Sequence, residues 1–180
     1  QLRFLADRLF LFSFILADDA DMLRHWLRHY HGLGVRPTPT NVAVRARHSA
    51  TEEQLQATPQ ALAAGGVPQQ NLRLVRPPPS HSPKLEPINP PIAALPAGSW
   101  FVYADVDELF DYPCSLEVFT RRSVCLLGVM WDQLAADGNI TELAGAPDLS
   151  LQFLLQCRVR TTLARHMNPH KVILHRVDGR

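Results

Sequence analysis

The stretch Gly98 to Phe110 constrains the fold more than any other part of the chain. In it an unbroken apolar run, Trp100-Phe101-Val102-Tyr103-Ala104, stops at Asp105, with Asp107 and Glu108 close behind. An aromatic and β-branched run without alternation suits a strand covered on both faces, as in a parallel sheet packed between helices. The acids then fall at the carboxyl end of that strand, the edge at which open α/β sheets bind ligands. Two carboxylates separated by one residue suit a hard cation, Mg²⁺ or Mn²⁺, which takes oxygen ligands and fills its remaining positions with waters and substrate phosphates. The plainer alternative is turn chemistry, because Asp accepts hydrogen bonds from nearby backbone N–H groups. Glu108 weighs against it, since three like charges beside an apolar strand repel one another unless solvent, a base or a metal compensates.

The chain around this stretch alternates strand and helix. Leu9 to Ala17 is the strongest apolar run, too short to span a membrane, and reads either as a buried first strand or as the core of a signal peptide with Arg3 and Arg8 ahead of it. Asp18, Asp19 and Asp21 then supply a cap and favourable charge for a helix in which Met22, Leu23, Trp26, Leu27 and Tyr30 recur at helical spacing, ending at Gly32 and Gly34. Asn41 to Arg47 is a second strand. Thr51 to Ala64 is a second helix, capped by Ser49 or Thr51, with a kink or early break expected near Ala57 because of Pro59. Leu72 to Val75 is a third strand, and Lys84 to Leu95 a short helical segment broken by Pro90 and Pro91. After Tyr112-Pro113 the pattern predicts a short helix over Leu116 to Thr120, one strand over Val124 to Trp131, an ambiguous Ser150 to Arg158 and a last strand over Lys171 to His175. Strands separated by helices at this spacing predict right-handed crossovers and a mostly parallel, helix-flanked sheet.

At 180 residues the chain has the length of one domain, read here as residues 1–180 and open to being part of a longer protein, since it starts at Gln1. A formal net charge of +1 provides no bulk basic field, so nucleic acid is not an expected partner. Cys114, Cys125 and Cys157 show no Cys-x-x-Cys spacing, which argues against zinc and leaves the redox compartment open. His25 and His29 share a helix face, but with no carboxylate or cysteine in register they read as polar residues opposite Trp26 and not as a metal pair.

Asp18 to Val35, with Trp26, Tyr30 and Leu33-Gly34-Val35, resembles the first βα unit of family 2-like and family 92-like glycosyltransferases. Lys84, Asn89 and the run from Ser99-Trp100 to Asp105-Val106-Asp107-Glu108-Leu109-Phe110 resemble the same group's lysine and asparagine helix and its acidic strand. The likeness spans roughly Leu9 to Leu174. It implies a GT-A-like α/β fold, a nucleotide-sugar donor, a glycan or other hydroxyl acceptor, and Mn²⁺ or Mg²⁺. By the same resemblance Asp105 contacts the donor ribose or a metal-bound water, Asp107 binds the metal directly, and the setting is the Golgi lumen or membrane, the cytoplasm staying open. A metal bridging the diphosphate would offset its charge as the sugar–phosphate bond breaks. An acceptor hydroxyl must also lose a proton to a base.

The chain departs from the group's pattern in two places. Where relatives carry Arg-Asn-Glu after the first strand and an Asp-rich loop after the second, this sequence has Ala17-Asp18-Asp19 and Arg47-His48-Ser49, leaving Asp18 and Asp19 as candidates for nucleotide contact. Asp132 is the candidate base, and His175 a loose match to the group's late acceptor-side histidine. Two other readings compete: a degenerate transferase that binds a sugar nucleotide or glycan without turnover, and a phosphatase of the haloacid dehalogenase type, which also ends a strand in Asp-x-Asp. The phosphatase pattern normally sits on the first strand and continues with Gly-Thr, whereas here about a hundred residues precede the acids and Glu108-Leu109 follows.

Overall fold

The computed structural model describes residues 8–17, 20–45, 51–75, 89–112, 116–120, 125–129, 131–134, 155–158 and 170–177. β1 (Leu9–Leu16) leads to α1 (Ala20–Gly32), β2 (Thr40–Arg45) to α2 (Glu52–Ala64), and a 3₁₀ turn (Gln69–Asn71) delivers β3 (Leu72–Val75). α3 (Asn89–Ala93) precedes β4 (Trp100–Tyr103). Then come α4 (Leu116–Thr120), β5 (Cys125–Val129), β6 (Trp131–Leu134), β7 (Leu155–Arg158) and β8 (His170–Arg176). None of the described helices is long and apolar enough to cross a membrane.

Six strands form one sheet in the order β3-β2-β1-β4-β8-β5. β1 pairs in parallel with β2 and β4, and β2 with β3, while β8 lies antiparallel between β4 and β5. The expected α/β architecture with a mostly parallel sheet is therefore present. Its order matters for function. From β1 the chain steps outward to β2 and β3, then returns to place β4 on the opposite side of β1, so the direction of winding reverses between β1 and β4. At such a reversal the connections leave the carboxyl ends of the two strands in opposite directions and open a crevice between them.

Alternation on the strands sorts the core into two layers. Leu9, Leu11, Ile15, Val42, Val44, Trp100, Val102 and Leu174 bury one sheet face against Leu23, Trp26, Leu27 and Tyr30 of α1 and Leu62 of α2. Phe12, Phe14 and Ala43 bury the other face, with Phe101, Tyr103, Ile92 and Leu95 packed partly against them. β1 is dry on both sides from Leu11 to Ile15, so Leu9 to Ala17 is the central strand. β4 differs from expectation: Trp100 and Val102 are buried, but Phe101 and Tyr103 are half-buried. Its helix-facing side is fully covered and its other side only in part.

Three boundary expectations need correction. α2 runs unbroken through Pro59. Thr51 and Gln54 form a reciprocal capping box, the Gln54 N–H donating to Thr51 Oγ1 at 3.2 Å and the Thr51 N–H to Gln54 Oε1 at 3.0 Å. Buried Thr58 and Leu62 anchor the helix on both sides of the proline, so the one donor that proline removes is outweighed. Pro90 and Pro91 do not break α3 but fall in its first turn, where the missing N–H groups have no intrahelical partner to lose. Val124 to Trp131 is not one strand: β5 pairs with β8 until Val129 meets His170, the first residue of β8, and β6 pairs with β7 in a separate two-stranded sheet.

Candidate functional site

The acidic segment leaves β4 as a tight, internally bonded turn. The last ladder bond runs from the Ala104 N–H to the Phe12 carbonyl at 3.1 Å. The Glu108 N–H then donates to the Asp105 carbonyl at 3.0 Å, closing residues 105–108. Glu108 also folds its side chain back, Oε2 accepting from the Asp105 N–H at 2.9 Å. Its charge is therefore placed on a backbone donor, the turn chemistry that is the plainer alternative for these acids. The Tyr103 hydroxyl donates to Asp105 Oδ1 at 3.0 Å. Burial pushes the Tyr103 phenol above its ordinary range, and the neighbouring Asp105 carboxylate adds to the effect, so the hydroxyl stays a donor. Val106 is buried in the core and Asp107, beside it, is exposed at the tip of the turn. Alternating burial fixes Asp107 outward.

The carboxyl end of β1 borders this turn across the winding reversal and is pinned independently. The Ala17 N–H donates to the Arg45 carbonyl at 3.0 Å, and the buried Thr58 hydroxyl of α2 donates to the Ala17 carbonyl at 2.8 Å. Asp18 and Asp19, the candidates for nucleotide contact, lie outside the described residues, as do Arg47-His48-Ser49 and Lys84.

Helix α1 holds the far side of the acidic turn. Tyr30 is fully buried, and its hydroxyl donates to the Glu108 carbonyl at 2.9 Å while accepting from the Phe110 N–H at 3.4 Å. His29 Nε2 lies 3.0 Å from the Phe110 carbonyl, which can only accept, so that nitrogen carries the proton. His25 is buried and accepts at Nε2 from Arg24 Nε at 3.1 Å. Neither histidine sits on a solvated face opposite Trp26, a correction that follows from the acidic segment packing across this helix.

Asp132 does not follow a strand but lies within β6, opposite Cys157 of β7, in the sheet that does not contain β4. His175 pairs with Phe101 across β8 and β4, its ring stacked on the Phe101 ring at 4.9 Å. Phe101 is four residues before Asp105, on the order of 13 Å along an extended chain, so His175 sits in the body of the sheet and not at its carboxyl edge.

Among the described residues no group of three or more His, Cys, Asp and Glu side chains is placed to hold a metal. By themselves the expected ligands, Asp105 and Asp107, would supply only a partial oxygen set. That suits Mg²⁺ or Mn²⁺ only in company with phosphate oxygens and water. Pattern reading missed Tyr103, Tyr30, His29 and Thr58. Tyr103 had a usable signal, being two residues before Asp105 and so on the same strand face; Tyr30 carried only core periodicity. Comparison with protein-family models, with curated proteins and with solved structures finds no match.

Proposed function

We propose that this protein is a GT-A-type glycosyltransferase that binds a nucleotide-sugar donor and a divalent metal at the Asp105–Asp107 turn and transfers the sugar to a hydroxyl acceptor. One observation carries the reading: an exposed carboxylate, Asp107, and a hydrogen-bonded one, Asp105, stand at the carboxyl edge of β4, beside the reversal between β1 and β4. Mn²⁺ or Mg²⁺ held there would neutralise the donor diphosphate and stabilise the departing nucleoside diphosphate. Asp107 would be the direct ligand. Asp105, oriented by the Tyr103 hydroxyl, would take a metal-bound water or the donor ribose. The secretory-pathway setting belongs to the same proposal, through the family resemblance.

A second reading is favoured by the placement of His175, whose ring is stacked on Phe101 in the body of the sheet and not at the carboxyl edge that presents Asp105. On that reading the site binds donor without turnover. Thermal-shift screening of nucleoside diphosphates with and without Mn²⁺, followed by a sugar-nucleotide hydrolysis and transfer assay, separates the two. A bound native state at a hundredfold excess over Kd gains about 2.7 kcal/mol, which melting reads directly. Metal-dependent stabilisation with release of sugar supports the transferase, and stabilisation without release supports the binding protein. No stabilisation by any nucleoside diphosphate overturns both, and turnover of a generic phosphate ester without sugar nucleotide points to the phosphatase.

A further inference from the structure

The acidic turn is held at two places by different elements. On the strand side Tyr103 and Glu108 fix Asp105. On the other side the chain from Glu108 to Phe110 is bound to α1. The Tyr30 hydroxyl engages both a carbonyl and an N–H of that segment, 78 and 80 residues away in sequence. Its ring is wedged edge-on between Trp26 at 5.3 Å and Phe110 at 6.4 Å. A ring so confined cannot follow the turn if the turn moves, so the hydroxyl acts as a fixed reference for it. Burial drives the phenol far above its ordinary range, and the nearby carboxylates push it the same way, so the hydroxyl keeps its proton throughout the working range of pH.

We infer that Tyr30 is a positioning residue for the metal turn: its hydroxyl, bridging the Glu108 carbonyl and the Phe110 N–H, holds Asp107 in the geometry that receives a divalent cation. The inference rests on the metal reading above and adds to it a residue that touches neither cation nor donor. Apolar core residues at helical spacing, such as Leu23, stabilise the fold without addressing the turn or Tyr30 through a hydrogen bond or ring contact. Tyr30 does both, and the two contributions separate chemically, because Tyr30→Phe keeps the ring and removes only the oxygen.

Mn²⁺ titrated into the protein with the nucleoside diphosphate that gives the largest thermal shift, followed by electron paramagnetic resonance against a protein-free control, tests this, with amide hydrogen exchange as a second readout. Tyr30→Phe is expected to weaken Mn²⁺ binding by roughly five- to tenfold, the scale of one or two net hydrogen bonds. The same variant should speed exchange at the Phe110 amide and leave amides in β1 unchanged. Leu23→Ala, a core change in the same helix about two turns away from Tyr30, should lower the melting temperature and leave Mn²⁺ affinity as in wild type. That is the readout a merely structural role would not separate. If Tyr30→Phe fails to fold, His29→Leu removes the parallel hold on the Phe110 carbonyl from a half-buried position and should weaken Mn²⁺ binding in the same direction. Wild-type affinity in either folded variant overturns the inference while leaving the metal site standing. Absence of Mn²⁺ binding in wild type with the nucleoside diphosphate present overturns the metal reading and the inference with it.

Discussion

Asp105 and Asp107 are separated by one residue and differ in what holds them. Asp105 accepts from Tyr103, and its own N–H is taken by Glu108, whereas Asp107 is exposed and makes no side-chain hydrogen bond among the described residues. Asp107→Ala should therefore leave the melting temperature of the ligand-free protein unchanged or slightly raised, through relief of repulsion among the three acids, while abolishing the stabilisation given by Mn²⁺ with a nucleoside diphosphate. Melting curves of both proteins, with and without that pair, check it; equal ligand-induced shifts would remove Asp107 from the site. Asp105→Ala, in contrast, removes the acceptor of the half-buried Tyr103 hydroxyl and should cost about 1 kcal/mol even without ligand. The position of these acids at a strand end was legible from the apolar run before them. The turn's internal bonds were not, because whether Glu108 adds to a metal site or caps its own backbone depends on a side-chain rotamer that composition does not encode.

At the scale of elements, the types and order of β1 to β4 and of α1 and α2 follow from apolar periodicity, which burial on the sheet enforces. The prolines misled because a rule about helix interiors was applied to a first turn in α3 and to a well-capped helix in α2. The capping box gives that point a measure. Thr51→Ala should cost about 1 kcal/mol, seen as a lower urea midpoint at constant slope. The β4–β8 pair gives a pH test. Burial holds the His175 imidazole below its ordinary pKa of 6.5 in the folded state, so as pH falls through that value the unfolded chain takes up a proton the folded one resists. The stability this histidine supports is present above that range and is lost as pH falls. The urea midpoint should decline between pH 7.5 and 5.5, and His175→Phe, which keeps a ring against Phe101, should shallow the decline. An unchanged slope would mean that other groups govern it.

Across the whole molecule, the position of β8 carries the most consequence and was the least legible. A terminal apolar strand announces itself in sequence, but nothing local says that it inserts antiparallel between β4 and β5, because that choice is made by partners far away in the chain. The insertion places Leu174 fully buried in the same cluster as Leu11, Trp26 and Trp100. If β8 is an integral part of one cooperative unit, Leu174→Ala should destabilise by about 2–5 kcal/mol, the range for a buried leucine that leaves a cavity. The loss should also appear equally in every probe. Far-ultraviolet circular dichroism reports all strands and helices, whereas tryptophan emission in a Trp131→Phe background, where only Trp26 and Trp100 remain, reports the α1–β4 layer. Coincident urea transitions in that background, displaced together by Leu174→Ala, are the expected result. If only the circular dichroism transition moves, β8 and β5 form a unit that unfolds apart from the β1–β4 half. The carboxyl edge that presents Asp105 and Asp107 would then be built by residues 8 to 112 alone.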